Sequence, residues 1–158
     1  MSFGIRQLVD IALRALSTGV NDPSTARQAI EQITDVLAAA SGSPLGAQQT
    51  LDADGQVRIS MPRPTFAALL ALGIDQIRMD PGGDPDVTVA LLALCTDLGE
   101  RVADDATRRD AVAAHVDRIM AAVSLPDPDD RERVERAADR ARATLSEGRR
   151  QATETEAG

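Results

Sequence analysis

Apolar residues recur at three- and four-residue steps through most of this chain, and Gly, Pro or Asp closes each run where a helix would turn. From Phe3 to Ser17, residues Ile5, Leu8, Val9, Ala12, Leu13 and Leu16 share one wide face, which predicts a first helix buried by its neighbours. Gly19 suits a left-handed C-terminal cap. Asn21-Asp22-Pro23 then restarts the chain, with Asp22 as N-cap and Pro23 at the first helical position. Ala26, Ala29, Ile30, Ile33, Val36, Leu37 and Ala40 keep the same spacing, so a second helix packs antiparallel on the first as a hairpin. Ser41-Gly42-Ser43-Pro44 ends it.

Between Gln48 and Met61 the period changes. Val57, Ile59 and Met61 alternate with Gln56, Arg58 and Ser60, and Asp52-Ala53-Asp54-Gly55 supplies turn chemistry before them. A short hairpin is expected, with a weak first arm around Gln49 to Leu51 whose pairing depends on packing against the helices or on a strand from another segment; a single strand in an extended loop is the alternative.

Pro62-Arg63-Pro64 forces an extended entry to a third helix capped by Thr65, whose inward positions are Phe66, Leu69, Leu70, Ile74 and Ile77. Pro81-Gly82-Gly83 closes it, and Asp84-Pro85 opens a fourth helix with Val87, Leu91, Leu94, Cys95, Leu98 and Val102 inward. A fifth helix spans Ala106 to Val123, burying Val112, Val116, Ile119, Met120 and Val123. The sixth, from Asp129 to about Arg150, follows Asp127-Pro128 and has Val134, Ala137, Ala138, Ala141 and Leu145 to bury among alternating Arg and acidic residues. The expected fold class is therefore mainly α, a bundle of about six helices with one short β-hairpin between helices two and three. Residues 1–150 form one domain and residues 151–158 a disordered tail.

Composition narrows what such a bundle does. The 158 residues suit one domain, and 43% hydrophobic residues suffice for a core. Phe3 and Phe66 are the aromatics, so the core is aliphatic and a stacking site for bases or sugars is hard to build. All 17 basic residues are Arg, a bias that points to a high-GC bacterial genome rather than to a binding site. A net charge of −8 opposes phosphate backbones, so no nucleic-acid partner is expected. Cys95, the single cysteine, cannot form an intrachain disulfide and is compatible with a reducing cytoplasm. No stretch reaches the roughly 18 apolar residues of a membrane span.

Candidate chemistry is sparse. The one histidine, His115, stands in AVAAHVDRIM without a motif and is expected to be partly exposed. Helix-start aspartates account for the acidic clusters at 80–84 and 127–130, which lack the regular ligand series of a calcium loop. No enzymatic activity, cofactor or metal is expected. Arg6, Asp10 and Arg14 form a ladder along the first helix, a solvated or interface stripe. The more informative set is Asn21, Asp22 and Thr25 with Arg63, Asp75 and Arg78. If the first three helices pack together, these residues surround one end of the bundle, where they brace it or bind a small polar ligand or partner loop.

The stretch FGIRQLVDIALRALSTGVNDPSTA, followed by DGQVRISMPRPTF and GIDQIR, resembles the soluble region of a bacterial predicted-membrane-protein family, domain of unknown function 2254. The family motif reads close to ALSPGINDPxTA; Thr18 stands here for its proline and Val20 for its isoleucine. The likeness is best over residues 1–80, with 84–150 as a helical extension. It implies a carboxy-terminal domain at the inner face of the membrane, preceded in the family by transmembrane helices, and no assigned activity. The expected role is noncatalytic: oligomerisation or docking to a membrane-embedded segment or membrane-protein partner, regulating a transport or channel-like portion. The expected partner is another copy of the chain in a homo-oligomer. The alternative is a small-anion sensor in which Arg side chains grip the ligand.

Overall fold

Five of the helices start on an aspartate or threonine that turns its side chain back onto the first turn, which fixes the start of each segment locally. The computed structural model describes residues 1–51, 54, 56–79 and 83–156, and gives six helices. These are α1 (Ser2–Leu16), α2 (Pro23–Ser41), α3 (Phe66–Arg78), α4 (Pro85–Arg101), α5 (Ala106–Ala122) and α6 (Pro128–Glu156). Asp22 accepts from the Thr25 amide, Thr65 from the Ala68 amide, Asp84 from the Asp86 and Val87 amides, and Asp105 from the Arg108 amide. Asp127 does the same for the amides of Asp129 and Asp130 at 2.8 and 3.3 Å, so the Asp-Pro device works at all three of its positions.

α1 and α2 form the expected hairpin, and α3 lies against α1. α4 is central, packed on α2, α5 and α6, while α5 closes the far side against α3. Most of the large, fully buried side chains, among them Ile5, Ile33, Leu70, Ile74, Leu91 and Leu98, come from the first four helices, and α5 adds Ile119. At Gly73 of α3 a Cβ would stand 2.9 Å from the Ile33 side chain, so glycine is what lets α3 approach α2 this closely.

The expected β-hairpin needs correction, because the packed body is helical throughout and no strand forms a layer of it. Gln48–Leu51 (β1) and Val57–Met61 (β2) run antiparallel, with Gln48 opposite Met61 and an irregularity between Thr50 and Leu51. The expected turn chemistry at 52, 53 and 55 lies outside the described residues. Among the described residues this ribbon approaches no helix, and Met61 is half exposed, so the packing that was to hold it is missing. The bundle is complete without it.

One further boundary differs from expectation. α6 continues to Glu156, through most of the stretch expected as a disordered tail, while residues 157 and 158 lie outside the described residues. Of the expected close of α3 at Pro81-Gly82-Gly83, residues 81 and 82 lie outside them and Gly83 is left-handed at φ 56°.

Candidate functional site

The turn between α1 and α2 is built by main-chain bonds. Val20 and Asn21 donate to the Ser17 carbonyl at 2.9 Å, and Asp22 donates to the Ala15 carbonyl at 2.8 Å. The left-handed residue is Asn21, at φ 47°, and not Gly19, a substitution of roles that asparagine tolerates because its short side chain costs little there. Asp22 then accepts from Thr25 twice, from its amide at 3.1 Å and its hydroxyl at 2.6 Å. The Thr25 hydroxyl bond, followed by the amide bond, holds the Asp22 carboxyl below its ordinary value. Both side chains are thereby committed to each other.

The outer face of α1 beside this turn mixes exposed apolar side chains with charged ones. Phe3 is 73% exposed, Ile11 45% and Val20 57%, high values for such side chains. A groove of about 550 Å³ is lined by Gly4, Gln7, Leu8, Ile11 and Val36 with the charged Asp10 and Arg14, and a second hollow of about 190 Å³ continues it through Ile11, Arg14, Ala15, Val20, Asp22 and Thr25. Arg6 is exposed at the border of this face, whereas Asp10 and Arg14, also exposed, line the groove itself. The ion-pair ladder expected among them does not form.

The remaining predicted residues divide. Arg63 is exposed in the extended lead into α3, whereas Asp75 and Arg78 pair at 2.9 Å in its last turns. The 13 residues of α3 hold the two groups roughly 20 Å apart, so Arg63 cannot join Arg78 in one grip. No bond or shared hollow among the described residues links either group to Asn21, Asp22 and Thr25.

Asp75 instead faces His115, whose Nε2 lies 3.8 Å from the Asp75 carboxylate. His115 is 2% exposed, against the expectation of a partly exposed residue. It stands 2.8 Å from the Ala111 carbonyl through Nδ1, which suits a donor there, and Nε2 lies 3.5 Å from Arg118 Nη1 as acceptor. Desolvation lowers its pKa, opposed by the Ala111 bond and by Asp75. A signal was present: Val112, His115, Val116 and Ile119 share the inward stripe of α5.

Arg108 was also missed. Its guanidinium bonds the Ser41 carbonyl and, at 3.0 Å, the Ser43 carbonyl, and it sits 5.5 Å over the Phe66 ring. It thus ties the end of α2 to the starts of α3 and α5, taking up carbonyls left over at a helix end. A further hollow of about 600 Å³ between α2 and α4 is lined by Arg27, Glu31, Asp35, Asp86, Asp97 and Arg133, with Asp86 paired to Arg133. Its acidic majority opposes anions. Cys95 is buried, its thiol pushed up to about 12 by desolvation, which suits packing rather than nucleophilic work. Among the described residues no three His, Cys, Asp or Glu side chains are grouped to hold a metal.

Fold and surface together define a helical domain many of whose polar side chains cap and brace it, and whose unusual feature is a helix face on which Phe3 and Ile11 stand exposed beside a groove. The chain belongs to the family described as "Predicted membrane protein (DUF2254)", whose profile matches residues 1–97. It is similar to uncharacterized proteins of Mycobacterium bovis and of two strains of Mycobacterium tuberculosis. Each is 35% identical over 142 residues, covering 90% of this chain and 27% of the relative. The chain thus spans about a quarter of the length of these relatives. No solved structure matches. No helix among the described residues is long and apolar enough to cross a membrane.

Proposed function

We propose that this chain is a noncatalytic helical domain of its membrane-protein family. It works by association, oligomerising or docking to a membrane-embedded partner at the cytoplasmic face, and so regulates a transport or channel-like portion of the longer protein. The observation that carries this reading is the exposed face of α1, where Phe3 and Ile11 flank a groove of about 550 Å³. Apolar side chains held open on a regular helix suit a macromolecular surface better than a small-molecule site. The anion-sensor alternative has less support: Arg78 is already paired with Asp75, Arg63 lies at the other end of α3, and the 600 Å³ hollow is mainly acidic.

The test is association of the purified chain with itself, and with the rest of a mycobacterial relative supplied as a separate polypeptide in lipid nanodiscs. Binding to either one, lost on Ile11→Arg, is the expected result. If neither associates at high micromolar concentration, the reading fails.

A further inference from the structure

We propose that the occupant of the α1 groove is α1 of a second copy, packed antiparallel across a two-fold axis near Gln7. The proposal rests on the docking reading above and names its partner. Phe3, Gln7 and Ile11 recur every four residues, so they form one row on the outer face, with Phe3 and Ile11 about 12 Å apart along the axis. Phe3 is a knob, 73% exposed, and the groove beside Ile11 is a hole on the same face. Because Phe3 and Ile11 are equidistant from Gln7, an antiparallel pair sets each knob against the other copy's hole at once. An isologous interface has to satisfy that condition.

The charges carry the same symmetry independently. Arg6 borders the row and Asp10 lines the groove; both are exposed and, among the described residues, form no ion pair although four residues separate them. They are equidistant from Leu8, within one residue of the axis required by Phe3 and Ile11. Antiparallel pairing therefore brings Arg6 of each copy to Asp10 of the other, making two reciprocal ion pairs. Parallel pairing would oppose Arg6 to Arg6 and Asp10 to Asp10, which like-charge repulsion disfavours. Gly4 lies in the groove, and a Cβ built there meets nothing within 4 Å, so nothing on this chain obstructs close helix approach.

Sedimentation velocity on the whole chain, from low to high micromolar, reads the dimer directly. Ile11→Arg is expected to weaken it at least about tenfold with an unchanged far-ultraviolet circular dichroism spectrum, since the side chain supports no core packing. Asp10→Arg weakens it less, and adding Arg6→Asp to that variant restores it. Gln7→Cys is expected to oxidise to a covalent dimer, whereas Glu31→Cys on exposed α2 is not; Cys95 is fully buried and stays out of the reaction. A dimer that ignores Ile11→Arg and leaves Gln7→Cys uncrosslinked overturns this pairing while association itself stands. A chain monomeric at every concentration overturns the second copy as occupant. If that monomer also fails to bind the nanodisc-held portion of a relative, the docking reading falls with it.

Discussion

The first four helices and the last two are held by different forces. α1 to α4 supply most of the large fully buried side chains, chiefly Ile and Leu, whereas α5 and α6 bring Ile119 and Leu145 with the smaller Val112, Val116, Val134, Ala138 and Ala141 and the buried polar groups Arg109 and His115. Exposed ion pairs dress the second half, such as Arg142 with Asp117 at 3.3 Å and Arg149 with Asp110 at 3.4 Å. The family profile ends at residue 97, inside α4, so it encloses the aliphatic half almost alone. Burial of large apolar area is the dominant favourable term in folding and exposed ion pairs are a minor one. The matched half should therefore carry most of the stability, and the second half should be an attachment that closes α4.

The largest effect tests that directly. Leu70→Ala in α3 removes a side chain with no exposed surface and is expected to cost about 3–5 kcal/mol, because α1, α2 and α3 cannot collapse onto the gap. Leu145→Ala in α6 removes a 6% exposed side chain at the rim of the core and is expected to cost about 2 kcal/mol. Urea unfolding of both variants measures the difference. A larger loss at Leu145 would reverse the assignment of the dominant core.

What the sequence made legible follows the same division. The Asp-Pro starts and the three- and four-residue apolar spacing act within a turn or two, and they placed all six helices. The ribbon at 48–61 misled because alternation reports backbone preference, while only contact with a second layer would make it part of the core. The left-handed position fell on Asn21 rather than Gly19 because the Asp22 amide bond to Ala15 fixes where the chain must reverse. The candidate site was legible only in part. Asp22 with Thr25, and Asp75 with Arg78, are neighbours along a helix and could be read; the distance from Arg63 to Arg78, the His115–Asp75 approach and the Arg108 clamp arise from packing between distant segments. Arg6, Asp10 and Arg14 were read as a ladder, but their spacing permits pairing without imposing it.

The intermediate effect concerns the polar side of the comparison. His115 is buried with its pKa lowered, chiefly by desolvation, so the unfolded chain binds a proton more readily than the folded one below the ordinary histidine value of 6.5. Its contribution is fully present above that pH and is lost as pH falls toward the depressed folded value. Asp75 moderates the loss by favouring the charged ring, while Arg78 and Arg118 add to it. Urea midpoints between about pH 7.5 and 5 should therefore fall for the wild type, and fall less steeply for His115→Gln, whose amide does not titrate in that range. Parallel slopes for the two proteins would remove His115 from the account and leave α5 held by its apolar contacts and the Arg108 clamp.

The smallest effect should come from the ion pairs between α5 and α6. Arg142 and Asp117 are 49% and 73% exposed, so water screens both partners and each side chain loses rotamer freedom on pairing. Arg142→Ala is expected to cost less than about 0.5 kcal/mol, a difference that should shrink further in molar salt. Alanine also favours the helix, which offsets part of the lost pairing. A salt-sensitive loss as large as that of Leu145→Ala would mean that α6 is held to α5 by charge, and that Val134, Ala138, Ala141 and Leu145 serve mainly to set its register on α4.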